Sequence, residues 1–190
     1  MGVVGLLLVG LLVAVVIWGV MAYNGLVQLK HSVAKAWANI DVLLKQRHDE
    51  LPKLVETCKQ YKQFEQATLT RVIEARSRVQ AARERHNVPA LGQAEGELRA
   101  GLGQLFALAE AYPELQANET FMQLQQRITV LENALADRRE LYNDSVNLNN
   151  VRVEQFPDSI VAGVFNFETK PLLEFSTVEK ADVDMRALFT

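Results

Sequence analysis

Hydrophobic and polar positions fall into two regimes along this chain. Residues 3–22, VVGLLLVGLLVAVVIWGVMA, carry no charge on any side, and the first charged side chain is Lys30. About 20 such residues, rising roughly 1.5 Å each, cross a hydrocarbon core roughly 30 Å thick. A helix satisfies its own backbone hydrogen bonds in that setting. Trp18 and Tyr23 lie near one end, where amphipathic rings favour the headgroup level. A signal peptide would have a basic leading region and a shorter apolar run, so the stretch predicts an uncleaved anchor over 1–22.

From Tyr23 onward the pattern turns amphipathic. Leu26, Leu29, Val33, Ala36, Ile40 and Leu43 recur in steps of three and four, which predicts a helix over 23–46 continuing the anchor as a rod of about 44 residues. Pro52 lacks an N–H and disfavours a helical Leu51, so Arg47–Pro52 predicts a break with Asp49 as the new cap; a kinked continuous helix is the alternative. Leu51, Leu54, Val55, Cys58, Tyr61, Phe64, Leu69, Val72, Ala75 and Val79 then line a second helix over 50–86.

A third helix is expected over 89–111, on Leu91, Ala94, Leu98, Leu102, Leu105 and Ala109. Its Gly92, Gly96, Gly101 and Gly103 imply either a weak, curved helix or close backbone contact with a neighbouring helix or subunit. A fourth, over 119–150, starts at a capping signal (Asn118 or Thr120) and places Phe121, Leu124, Ile128, Leu131, Leu135, Arg138, Tyr142 and Ser145 in heptad register. The rest, 151–190, holds a short apolar piece after Phe156-Pro157 and a tail expected to be partly disordered. No alternation runs long enough for a sheet. The fold class is therefore all-α: a transmembrane helix continuous with an antiparallel up-and-down four-helix bundle.

That topology returns the chain to the bilayer. Ile160, Val161, Val164, Phe165 and Phe167 are then placed either in the lipid interface or over the open end of the bundle. Polar residues on packed faces, namely Asn39, Asp41, Arg138, Tyr142 and Asn143, suggest a clasp in which Asp41 pairs with Arg138, or else a ligand site. Gly10-x-x-x-Ala14 is a small-residue face suited to helix pairing in the anchor.

Composition narrows the chemistry. A net charge of −3 argues against nucleic acid as a partner. The single Cys58 forbids an intrachain disulfide and is expected to pack as a small apolar residue. His31, His48 and His86 form no ligand pair, and the glycines lack a phosphate-loop context, so no enzyme activity, cofactor, metal or small-molecule substrate is expected. Lys30, Lys35, Lys45 and Arg47 behind the anchor favour the N-terminus outside and the domain in the cytoplasm, on the cell inner membrane.

Several blocks resemble the LemA family: Tyr23-Asn24-Gly25-Leu26-Val27, Ala36–Val42, Arg47–Thr57 (RHDELPKLVET), Ala111–Glu119 (AYPELQANE), Arg138-Arg139-Glu140-Leu141-Tyr142-Asn143-Asp144, and Phe156-Pro157. The resemblance implies a single-pass bacterial membrane protein with a bromodomain-like four-helix bundle and no agreed biochemical activity. The chain departs from that pattern at Val146–Asn150, which has no Tyr. Two functions are in view. One is a scaffold that contacts the bilayer and self-associates as a homo-oligomer; the other is a tethered adaptor for an unknown protein partner.

Overall fold

The apolar run and the amphipathic stretch after it form one α-helix, α1, Val3–Lys59, 57 residues and roughly 85 Å long. The computed structural model describes residues 2–61 and 64–174, and every regular element among them is helical. α2 spans Gln66–Glu84, α3 Val88–Ala109, the single turn α4 Pro113–Gln116, α5 Glu119–Glu154 and α6 Asp158–Val164. Local chemistry sets the starts. The Asn87 side chain accepts from Ala90 N at 3.1 Å to cap α3, and Asn118 accepts from Phe121 N at 3.0 Å to cap α5.

Two compact units are present. Residues 2–39 and 140–172 make one; residues 40–139 with 173–174 make the other. In the second, Ile40, Leu51, Leu54 and Cys58 of α1, Leu69 and Val72 of α2, Leu91, Leu98 and Leu105 of α3, and Phe121 and Ile128 of α5 are buried.

The break expected at Arg47–Pro52 does not occur. α1 runs through Pro52, residues 50–59 complete it, and α2 begins only at Gln66. A proline inside a helix leaves the carbonyl four residues earlier without its donor. Here that carbonyl belongs to His48, and the Arg76 guanidinium of α2 supplies the donor, Nε to O at 3.1 Å. Arg76 also donates to His48 Nε2 at 2.6 Å, so the imidazole is neutral with its proton on Nδ1. Burial, then the charge of Arg76, pushes the His48 pKa below its usual range; Arg83 adds to this, while Asp49 and Glu84 oppose it. The proline is tolerated because a side chain from the next helix occupies the site it opens.

Gly92 has a specific cause. A Cβ there would collide with the backbone carbonyl of Glu174, so the close approach anticipated for the third helix is made by the chain's own tail. Gly101 sits against Val72 of α2, whereas Gly103 faces open space. The tail, expected to be partly disordered, is held to α3 at Glu174; residues 175–190 lie outside the described residues.

Two outcomes follow for the full chain in detergent micelles, read by chemical unfolding. Arg76→Ala leaves the His48 carbonyl without a donor and should cost about 1–3 kcal/mol; in a Pro52→Ala background, where the helix restores that donor, the cost should shrink by about 1 kcal/mol. An additive cycle would mean that the two residues are uncoupled. Because the folded His48 pKa is lowered, its contribution is present above the unfolded value of about 6.5 and is lost as pH falls through the folded pKa. Wild-type stability should therefore drop on acidification from about pH 7.5 to about pH 5.5. A His48→Gln variant, which still offers Arg76 an acceptor, should lose part of that drop.

Candidate functional site

The unit of residues 2–39 and 140–172 brings residues 158–167 back to the end of the apolar run. Side chains late in α5 hold the returning segment. Asn150 both donates to Lys170 O (2.9 Å) and accepts from Lys170 N (2.8 Å); Asn149 donates to Glu168 O at 3.2 Å. The Tyr142 hydroxyl donates to Pro171 O at 3.1 Å, and its ring packs on Trp37 at a centroid distance of 5.6 Å. Burial pushes the Tyr142 hydroxyl pKa up, which keeps it a donor.

α6 packs against α1 within this unit. Val161 and Ala162 meet Ala22 and Leu26, with Trp18, Val153 and Phe167 at the margin. The Tyr23 ring lies edge-on to Phe165 at 4.7 Å and to Phe167 at 5.8 Å. Asp158, buried at the start of α6, is ion-paired with Arg152 of α5. The opposite face is open: Phe156 is 77% exposed, Val164 69%, and Ile160 and Phe165 56% each. Of the five residues expected in an interfacial segment, Ile160, Val164 and Phe165 point outward, Val161 points inward and Phe167 is half-buried. The Arg152–Asp158 pair was not anticipated.

Further apolar surface is uncovered along the long helices. The large side chains from Val3 to Met21 are exposed, with Trp18 half-buried, and a Cβ at Gly10 would meet nothing within 4 Å. Ala14 is equally open. α1 is thus long and apolar enough to cross a membrane. On α5, Leu141, Leu148 and Val151 are exposed at spacings that share one face.

In the unit of residues 40–139 and 173–174 a few polar side chains are buried, Arg47 and Glu95 among them. Arg47 is 1% exposed, and its guanidinium binds Glu95 of α3 through both carboxylate oxygens and Glu132 of α5 through one. Burial alone would lower the Arg47 pKa; Glu95 and Glu132 outweigh it and raise it, so the cation persists. Burial pushes the Glu95 carboxyl up, against the pull of Arg47. The expected turn residue Arg47 is therefore a core residue.

The clasp has different partners from those expected. Asp41 pairs with Arg83 of α2, Oδ1 to Nε at 2.5 Å and Oδ2 to Nη2 at 2.9 Å. That hydrogen bond, with the charge of Arg83, holds its carboxyl below the usual range against partial burial. Arg138 and Asn39 are exposed, Asn143 is half-buried, and Tyr142 is engaged by the tail. Arg138 falls at a seam position in strict heptad register, but α5 turns that position to solvent. Among the described residues no three His, Cys, Asp or Glu side chains converge as metal ligands. Burial pushes the Cys58 thiol up to about 12, which makes it a packing residue rather than a nucleophile.

Comparison with known proteins adds a family match. The LemA family profile matches residues 36–186. Protein LemA of Metamycoplasma hominis is 24% identical over 165 residues, covering 87% of this chain and 74% of its own. Magnetosome protein MamQ 2 of Paramagnetospirillum magneticum and magnetosome protein MamQ of Magnetospirillum gryphiswaldense are each 30% identical over 79 residues. Those matches cover 42% of this chain but only 29% of either relative.

The buried charges make a direct prediction. Arg47→Met strands the buried Glu95 carboxylate beside the part-buried Glu132 and should destabilise the protein by about 3–5 kcal/mol. Adding Glu95→Gln and Glu132→Gln to that variant should recover much of the loss, as measured by denaturant unfolding in micelles. A triple variant no more stable than Arg47→Met would show that the charges are not what the guanidinium answers.

Proposed function

Since the chain belongs to the LemA family, we propose that it is a membrane-anchored scaffold that crosses the bilayer once and self-associates there. The observation that carries this reading is the distribution of uncovered apolar surface. Val3–Met21 forms an exposed band suited to lipid, and Leu141, Leu148 and Val151 form a second stripe on α5. A Leu/Val stripe at spacings of seven and three is what a neighbouring helix packs against. The Gly10–Ala14 face offers a further close approach inside the bilayer. Exposed Lys30, Lys35 and Lys45 favour a cytoplasmic domain. The ion pairs from α1 to α2, α3 and α5 support a four-helix arrangement of the LemA kind. No catalytic role is proposed.

A tethered adaptor is the second reading. An open groove of about 500 Å³ lined by Gln46, Glu50, Gln126, Arg127, Val130 and Leu131 favours it, since a partner helix could lie there.

Crosslinking in native membranes, followed by mass measurement in nanodiscs, separates the two. The scaffold predicts a homo-oligomer that Leu141→Glu with Leu148→Glu reduces towards monomer, with helicity and membrane fractionation unchanged. A monomer in native membranes overturns it. A stoichiometric complex with a different protein, lost on Val130→Glu, supports the adaptor.

A further inference from the structure

The face of α6 turned away from α1 has no partner among the described residues, and its position says what covers it. Trp18, Ala22 and Leu26 meet the inner face of α6. These residues belong to the last turns of α1 before its first charge, Lys30. If α1 crosses a bilayer, as proposed above, this is the level at which hydrocarbon gives way to headgroups. The outer face carries Phe156, Ile160, Val164 and Phe165, all more than half exposed. No residue from Ser159 to Phe167 is charged. The one acidic group at the start of α6, Asp158, is buried and neutralised by Arg152. Tyr23, Phe165 and Phe167 form an aromatic cluster beside it, the side-chain type that prefers the interface.

We infer that α6 and its flanks, Phe156 to Phe167, are a second membrane contact, a collar seated in the interface of the leaflet that α1 leaves. The inference rests on the anchor reading and deepens it. The occupant is lipid, because the outer face is apolar and lies beside the end of the uncovered apolar band of α1, and the nearby Arg152 guanidinium is paired with Asp158. The inner face fixes the collar's depth through Val161 and Ala162, while Asn149, Asn150 and Tyr142 hold the segment that follows it. The collar would limit the tilt and axial slip of the anchor, since moving α1 inward or outward drags aromatic surface out of its preferred layer.

Site-directed spin labelling tests this in the full chain with Cys58→Ala, reconstituted in vesicles of phosphatidylcholine and phosphatidylglycerol. Labels go at Val164→Cys and Phe156→Cys on the outer face, at Val9→Cys in the apolar run, and at the exposed Ala107→Cys of α3. Relaxation by oxygen reports lipid; relaxation by a neutral nickel chelate reports water. The expected oxygen-to-nickel ratio at 164 and 156 is severalfold above that at 107 and below that at 9. Ratios at 164 and 156 equal to that at 107, with position 9 oxygen-dominated, overturn the collar and leave the anchor standing. Labels at 164 and 156 shielded from both reagents mean that protein, such as a second copy, covers the face, which also overturns it. A nickel-accessible label at position 9 overturns the anchor reading and the collar with it.

Discussion

A guanidinium that cannot reach water dictates the packing of residues 40–139. At 1% exposure Arg47 has no solvent to stabilise its charge, so its neighbours must do so. Glu95 from α3 and Glu132 from α5 provide that stabilisation, and neither position can slide along its helix without breaking the contact. One cation faces two carboxylates, and the excess negative charge is eased because Glu132 retains 21% side-chain exposure. Such a cluster adds less net stability than an apolar core of equal volume would. It forbids alternative registers, since a sliding helix would leave a charge unpaired in the interior.

Much of this was readable in the sequence, and the misses have physical causes. The long N-terminal apolar helix follows from an uncharged run, and the all-helical class and the α3 and α5 stretches follow from apolar periodicity, because long amphipathic runs with caps leave little choice. The first helix was cut too early because Pro52 was weighed as a local breaker; the compensating donor, Arg76, is 24 residues away. Arg47 was assigned to that imagined turn. Yet it stands in the stripe Ile40, Leu44, Arg47, Leu51, as Glu95 stands between Leu91 and Leu98 and Glu132 between Ile128 and Leu135. Three core-register charges of opposite sign on three helices were a legible signal. Asp41 was matched to the wrong arginine, since several cations were available and pattern alone does not rank them.

The two units use polarity in opposite ways. In residues 40–139 the Arg47 guanidinium closes on Glu95 and Glu132 within the packing. In residues 2–39 and 140–172, hydrogen bonds from Asn149, Asn150 and Tyr142 are spent on tethering the backbone of 168–171, and large apolar side chains stay outside. The tether therefore does more than tidy the chain end. It keeps Phe167 beside Tyr23, and so keeps the aromatic cluster assembled.

Gly92 carries a practical consequence. The space left by its missing side chain is where the carbonyl of Glu174 rests, so the polypeptide passes over α3 there. A side chain introduced at position 92 would push that carbonyl off the flank of α3, so the contact tolerates nothing larger than glycine. A label meant to leave this contact undisturbed belongs elsewhere on the helix, at Gly103 for instance, where an added side chain meets open space.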